Sequence, residues 1–117
     1  MSATAAGDSA LWSRIDSSLQ RQGMLRQLGV RLLRVALGEV ELAMPYSDRV
    51  TQQQGGFHGG AMGTLADVAG GYAALTVAPE GMEVTTVEYK INFLAAFLRS
   101  ILQFLLCVFE FALRQLL

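Results

Sequence analysis

The chain has 117 residues, a formal net charge of -1, and hydrophobic residues at 52% of its positions. This length suits one small domain, which often buries part of its apolar surface against a second copy. Because there is no basic surplus, nucleic acid is not an expected partner. The single cysteine, Cys107, excludes an internal disulfide and argues against a zinc cluster, so we expect a cytoplasmic protein without a metal site.

The N-terminal segment 1–7 is small and polar and lacks the basic start and apolar run of a signal peptide. It is therefore predicted to be a flexible leader. Asp8 and Ser9 are suitable caps for a helix that the apolar spacing extends to about Gln22 and that Gly23 ends. The apolar stripe of this helix consists of Leu11, Ile15 and Leu19.

A β-hairpin is predicted next. Residues 28–37 have a strand-like pattern, although two adjacent leucines break its strict alternation, and Gly38 supplies a turn. Residues 39–44 alternate cleanly and form the second arm, which Pro45 ends. The polar, glycine-containing segment 46–57 is predicted to be a loop.

A long and mostly buried helix is predicted for residues 61–78. The pair Gly70 and Gly71 inside it costs roughly 1 kcal/mol per glycine relative to alanine, which suggests close approach by another backbone or a ligand. Residues 79–81 form a turn, and the alternation of residues 82–94 predicts a long strand.

The C-terminal segment 95–117 has a different character, because it is apolar apart from a narrow polar stripe. This pattern predicts a helix. A transmembrane span is not expected, since charged and amide side chains interrupt any apolar run of about 20 residues. A membrane-surface role stays open as an alternative. The interrupting residues are Arg99, Gln103, Glu110 and Arg114.

The junction between the loop and the long helix has the residues best suited to catalysis. A helix N-terminus presents unpaired amides and partial positive charge, so Gly59 or Gly60 could stabilise the oxyanion that forms when a thioester is attacked. Asp67 lies further along the helix in apolar company, where a carboxylate needs a partner. It could act as a general base for water or as a nucleophile.

Helix geometry constrains how these groups could cooperate. Eight residues separate Gly59 from Asp67, which corresponds to about 12 Å of helix rise. One thioester cannot easily contact both within one subunit. If both act on the same carbonyl, the site lies at the interface of a homodimer.

The segment QQQGGFHGGAMGTLADVAGGYAAL, followed by TTVEYKINFLAA, resembles the hotdog-fold acyl-CoA thioesterases of the phenylacetate-pathway and 4-hydroxybenzoyl-CoA type. The resemblance covers residues 28–95. It implies an α+β hotdog fold in which a curved antiparallel sheet wraps a long central helix. It also implies a single domain over residues 1–117, a homodimer or homotetramer, and no cofactor besides the coenzyme A of the substrate.

The resemblance also implies roles for individual residues. Asp67 matches the catalytic acid that the opposite subunit supplies, and Gly59 matches the glycine whose amide polarises the carbonyl. Gln52 and Thr86 match residues that place the attacking water or the thioester. The substrate-binding residues are His58, which anchors the loop, Gly60, and Gly71, which replaces a helper threonine of other members.

The segment after Ala95 departs from the family, whose members continue with further long strands. We hypothesise that this tail is out of frame or otherwise replaced. Two alternatives to acyl-CoA hydrolysis stay open. One is a non-catalytic, degenerate hotdog dimerisation module, and the other is an acyl-thioester dehydratase or hydratase.

Overall fold

The computed structural model describes residues 6–93. Its elements, in chain order, are α1 (Ala6–Gln20), α2 (Gly23–Leu28), β1 (Arg31–Ala36), β2 (Glu39–Ala43), a short 3-10 helix (Asp48–Val50) and α3 (Gly59–Val77). The predicted helix 95–117, and the hypothesis about that tail, lie outside the described residues. No helix within residues 6–93 is both long enough and apolar enough to cross a membrane.

The first predicted helix exists, but its bounds differ from the prediction. It begins at Ala6, so Ala6 and Gly7 belong to α1 rather than to the leader, and Asp8 and Ser9 are not its caps. Gly23 does not end this helix but begins the short α2, which the sequence analysis missed. A six-residue helix is too short to show a periodic pattern, and α2 buries only Leu25.

Gly29 ends α2 in the left-handed conformation, with φ of 72°. Its N–H donates to the carbonyls of Arg26 and Leu25, as expected for a glycine-terminated helix. A side chain here would be strained, and its Cβ would lie 3.1 Å from the Pro45 ring. Gly29 therefore turns the chain directly from α2 into the hairpin.

The predicted hairpin is confirmed: β1 and β2 pair antiparallel around a two-residue turn. The register shifts between Leu32 and Arg34, because Leu32 faces Leu42 and Arg34 faces Glu41. One extra residue, Leu33, is thus accommodated in a bulge. This bulge explains why two adjacent leucines interrupt the alternation of β1, since only Leu32 is buried.

The core lies between α1, the hairpin and α3. β1 packs against α1, and β2 packs against α3. Because β2 alternates, its inward side chains lie on the apolar surface of α3, which is the predicted long helix. The most completely buried large side chains are Ile15, Leu19, Leu25, Val40, Leu42, Met44, Val50 and Leu65.

The strand predicted for residues 82–94 is not formed within the described chain. Residues 82–93 have no strand assignment, and the sheet among residues 6–93 contains β1 and β2 alone. A strand is defined by ladder hydrogen bonds, so an alternating pattern forms one only where a neighbouring strand is present. The predicted turn before it does form, because Met82 N–H donates to the Pro79 carbonyl at 3.1 Å.

The segment 82–93 instead runs along α3 in the opposite direction. A Cβ built on Gly59 would lie 3.6 Å from the Phe93 ring, and one on Gly63 would lie 3.1 Å from the Tyr89 hydroxyl. These glycines allow the two aromatic side chains to lie against the helix. The sequence suggested a close approach at Gly70 and Gly71, but the closer approach is at Gly63. Outside the helix itself, no described atom lies within 4 Å of a Cβ built on Gly70, and one built on Gly71 would lie 4.0 Å from the Thr86 hydroxyl, an ordinary contact.

Thr76 joins the end of α3 to the hairpin turn, and it supports a stability prediction. Its buried hydroxyl donates to the Ala73 carbonyl at 2.6 Å and accepts from the Gly38 N–H at 2.7 Å. We expect Thr76→Val to lower the free energy of unfolding by about 1–2 kcal/mol, because the Gly38 N–H loses its acceptor. Urea denaturation measures this change. Thr76→Ser keeps the hydroxyl and is the control, and equal losses in both variants would contradict the role of the hydrogen bond.

Candidate active site

His58 fixes the junction between the loop and α3. Its backbone N–H donates to the Val50 carbonyl at 2.7 Å, and its side-chain Nδ1 accepts from the Gly60 N–H at 2.8 Å. The imidazole therefore caps α3 in place of the usual serine or aspartate. Because Nδ1 accepts this hydrogen bond, the proton of the neutral ring lies on Nε2.

The His58 cap distinguishes the two glycine amides at the start of α3. The Gly60 N–H is used by the imidazole, whereas the Gly59 N–H has no hydrogen-bond partner among residues 6–93. Gly59 is the first residue of a 19-residue helix, where the helix dipole adds partial positive charge. Gly59 is thus the glycine whose amide remains free to bind a carbonyl oxygen.

Gln52 lies in the loop that leads to this junction. Thr51 and Phe57 form an isolated antiparallel bridge, and Gln52 N–H donates to the Gly56 carbonyl at 2.9 Å inside it. The side-chain oxygen of Gln52 accepts from the backbone N–H of Gln54. In this conformation the Gln52 oxygen stabilises its own turn.

Asp67 lies about two helical turns after Gly59 on α3, on the side of the helix that the segment 82–93 covers. Its Oδ1 atom is buried and has no hydrogen-bond partner among the described residues. Such an atom is costly unless it faces water or a ligand. A cavity of about 250 Å³ opens beside it. Three of the predicted site residues line this cavity together, namely Asp67, Gly71 and Thr86.

The cavity has further polar residues that the sequence analysis did not single out. Tyr72 is buried, and its hydroxyl forms hydrogen bonds with Ser18 Oγ at 2.9 Å and with Gln22 Nε2 at 2.6 Å. All three line the cavity, as does Glu83. Ser18 and Gln22 are one helical turn apart in sequence, but no local signal places them opposite a tyrosine 50 residues later.

The predicted site residues therefore form two groups. His58, Gly59 and Gly60 meet at the start of α3, and none of them lines the cavity beside Asp67. Within residues 6–93, no three His, Cys, Asp or Glu side chains are grouped so that they could hold a metal ion.

Comparison with known proteins gives matches over much of the chain. Residues 54–101 match the model of the Thioesterase superfamily, a range that contains both groups of site residues except Gln52 and extends past Ala95. A candidate esterase from Saccharolobus solfataricus is 39% identical over 67 residues, which are 57% of this chain and 47% of that protein. The chain spans about half the length of the curated relatives it matches.

Solved structures give the same fold. A thioesterase family protein from Silicibacter pomeroyi is 40% identical with a TM-score of 0.71, over 74% of this chain and 64% of that one. The PaaI protein of E. coli, from the phenylacetic acid degradation operon, has a TM-score of 0.69 at 19% identity, over 80% and 65% of the two chains. The predicted hotdog fold class is confirmed.

The His58 cap can be tested by substitution. His58→Ala removes the acceptor for the Gly60 N–H, and we expect the free energy of unfolding to fall by about 1 kcal/mol. His58→Asn supplies another capping side chain and should lose less. Urea denaturation with a tryptophan fluorescence signal compares the two variants. A His58→Ala variant as stable as the unaltered chain would show that the cap contributes nothing.

Proposed function

We propose that this hotdog-fold chain of the Thioesterase superfamily hydrolyses acyl-CoA thioesters to the free acid and coenzyme A. The observation that carries the proposal is the unpartnered, buried Oδ1 of Asp67, which adjoins a cavity also lined by Thr86. A carboxylate that lacks a protein partner is available to hold and deprotonate a water molecule.

The proposed chemistry needs one base and one oxyanion donor. Asp67 takes a proton from water as the water oxygen attacks the thioester carbonyl carbon. The Gly59 N–H donates a hydrogen bond to the oxyanion that forms. Collapse of this intermediate breaks the carbon–sulfur bond, and the coenzyme A thiolate leaves and takes up the proton that Asp67 holds. Water and a thioester supply every atom of the products, and the proposed steps use no metal and no cofactor besides the coenzyme A of the substrate.

The separation of the two groups supports a homodimer or homotetramer. Gly59 and Asp67 lie on one rigid helix, about 12 Å apart along its axis. In the proposal, the Gly59 amide of one subunit therefore faces the Asp67 carboxylate of another. The segment 82–93 also offers a surface for a second copy, because Val87 is 93% exposed and the segment has no ladder partner among residues 6–93.

The remaining predicted residues have supporting roles in the proposal. Thr86 lines the cavity with Asp67, so its hydroxyl can help to orient the water. Gln52 would reach the thioester only after its side chain leaves the Gln54 amide. His58 and Gly60 hold the oxyanion loop in place through their mutual hydrogen bond, and Gly71 leaves the cavity wall open.

The position of His58 argues against the dehydratase or hydratase alternative. Such an enzyme pairs a histidine with a carboxylate at the acyl chain, and His58 is the sole histidine of the sequence. It caps the start of α3 and does not line the cavity beside Asp67. Hydrolysis therefore fits the arrangement better. For the acyl group, phenylacetyl-CoA is a rational first substrate, because PaaI comes from the phenylacetic acid degradation operon.

Removal of the proposed base tests this function. Asp67→Asn keeps the shape of the side chain but cannot take a proton. We expect its kcat for phenylacetyl-CoA and short acyl-CoA substrates to fall by roughly 100-fold or more. Release of the coenzyme A thiol measures the rate, and Asp16→Asn on α1 is the matched control. No activity in a folded, dimeric wild-type protein would favour the degenerate dimerisation module, and activity on enoyl-CoA alone would favour the hydratase.

A subunit-mixing experiment tests the shared site. Gly59→Pro removes the amide proton at a helix position where proline is tolerated, and the His58 ψ of 130° suits a residue that precedes proline. Gly59→Pro and Asp67→Asn should each be inactive. When the two are mixed and allowed to exchange subunits, about one quarter of the wild-type activity should return.

The mixing experiment has its own controls. Gly59→Ala keeps the amide proton and should retain activity, since its Cβ would meet the Phe93 ring at an ordinary 3.6 Å. Each variant mixed with itself should stay inactive. If wild-type protein is active but the mixture recovers nothing after proven exchange, the two groups do not act across subunits.

A further inference from the structure

The cavity beside Asp67 has a polar end that the hydrolysis chemistry does not use. At this end the Tyr72 hydroxyl, which belongs to a side chain only 6% exposed, accepts from Gln22 Nε2 and is hydrogen-bonded to Ser18. Tyrosine hydroxyl, serine hydroxyl and glutamine amide together can both donate and accept. Because the Gln22 oxygen has no described partner, the cluster retains capacity for one more hydrogen-bonding group.

The position of this cluster relative to Asp67 sets the length of a ligand between them. Tyr72 follows Asp67 by five residues on α3, which separates their Cα atoms by about 7.5 Å along the helix axis and by about 140° around it. The lining of the same cavity also includes three apolar side chains, Val68, Leu75 and Val84. An extended hexanoyl chain covers a similar distance, so its far end would lie at the Tyr72 cluster when its carbonyl lies at Asp67.

The charges around the cavity restrict which chemical group the acyl chain can have at its far end. Glu83 and Asp67 are both carboxylates, and none of the described residues that line the cavity is basic. Arg14 lies nearby, but its guanidinium donates to the Met82 carbonyl at 3.2 Å and does not line the cavity. A terminal carboxylate on the acyl chain would lose its hydration there without gaining a cationic partner.

We propose that Tyr72, Gln22 and Ser18 determine the acyl specificity of the site by selecting neutral acyl groups with a terminal hydroxyl over those with a terminal carboxylate. This inference rests on the proposed function for its reaction, but the recognition itself is a property of the cavity. A hydroxyl can donate to the Gln22 oxygen and accept from Ser18. A carboxylate can only accept, and it is repelled by Glu83.

Binding tests the inference without relying on hydrolysis. The probes are three S-alkyl coenzyme A thioethers with six-carbon chains that end in a methyl, a hydroxyl or a carboxylate, measured by calorimetry on the full chain. We expect the hydroxyl-tipped probe to bind roughly 3-fold to 10-fold more tightly than the methyl-tipped one. The carboxylate-tipped probe should bind at least about 10-fold more weakly than the hydroxyl-tipped one.

Variants assign the selectivity to the cluster. Tyr72→Phe and Gln22→Leu should each bring the hydroxyl-to-methyl affinity ratio close to one. Gln20→Leu, an exposed change at the last residue of α1 and two positions before Gln22, should leave the ratio unchanged. Glu83→Gln should recover part of the lost affinity for the carboxylate-tipped probe. Equal affinities for all three probes, or a ratio that survives both cluster variants, would overturn the inference.

Hydrolysis of the matching thioesters separates this inference from the proposed function. Cleavage of hexanoyl-CoA, 6-hydroxyhexanoyl-CoA and adipoyl-CoA with equal kcat/KM would leave the function standing and overturn the selectivity. Selective binding of the thioethers without cleavage of any thioester would support the recognition and contradict the function. Absence of both binding and cleavage would overturn both.

Discussion

The fixed rise of an α-helix separates the free Gly59 amide from the Asp67 carboxylate by about 12 Å. Both ends of α3 are held in place, because His58 caps the first turn and Thr76 is bonded to the hairpin turn near the last. The separation therefore cannot shorten without unwinding the helix. A single small carbonyl cannot contact both groups in one chain, and this constraint makes a second copy part of the proposed chemistry.

The two sides of α3 pack against different parts of the chain. One side is covered by the hairpin, with β2 packed on it, and α1 closes the core. The other side has a stripe of residues four apart, in which glycines 59, 63 and 71 surround Asp67. Missing side chains at Gly59 and Gly63 allow the segment 82–93 to lie close to the helix. Beside Gly71 the segment stands further off, and the cavity opens there.

The same cavity joins residues with distinct chemical properties. Asp67 has an unpartnered carboxylate oxygen, whereas the Tyr72 hydroxyl is held by hydrogen bonds to Ser18 and Gln22. A general base needs a free oxygen atom that can accept a hydrogen bond from water, while a recognition group benefits from being held rigidly. The contrast between the two ends is the reason for assigning reaction to one and selection to the other.

Sequence periodicity predicted the hairpin and the long helix, because alternation and helical spacing report which side of a local element is buried. It also placed Asp67 on the long helix, with His58 and Gly59 at the junction before it. Periodicity did not predict the structure correctly where an element depends on pairing with another strand or is very short. The alternating residues 82–93 form no ladder because no strand among the described residues lies beside them, and the short α2 has too few residues for a pattern.

The sequence by itself determined the helix on which Asp67 lies and its distance from Gly59, since both follow from local backbone geometry, and its resemblance to a known family indicated the fold class. Only the tertiary structure decided which glycine amide remains free, because the imidazole of His58 takes the other. It also decided that Tyr72 meets Ser18 and Gln22, a contact between side chains about 50 residues apart. Such contacts depend on how whole elements pack, and no local pattern in the chain encodes them.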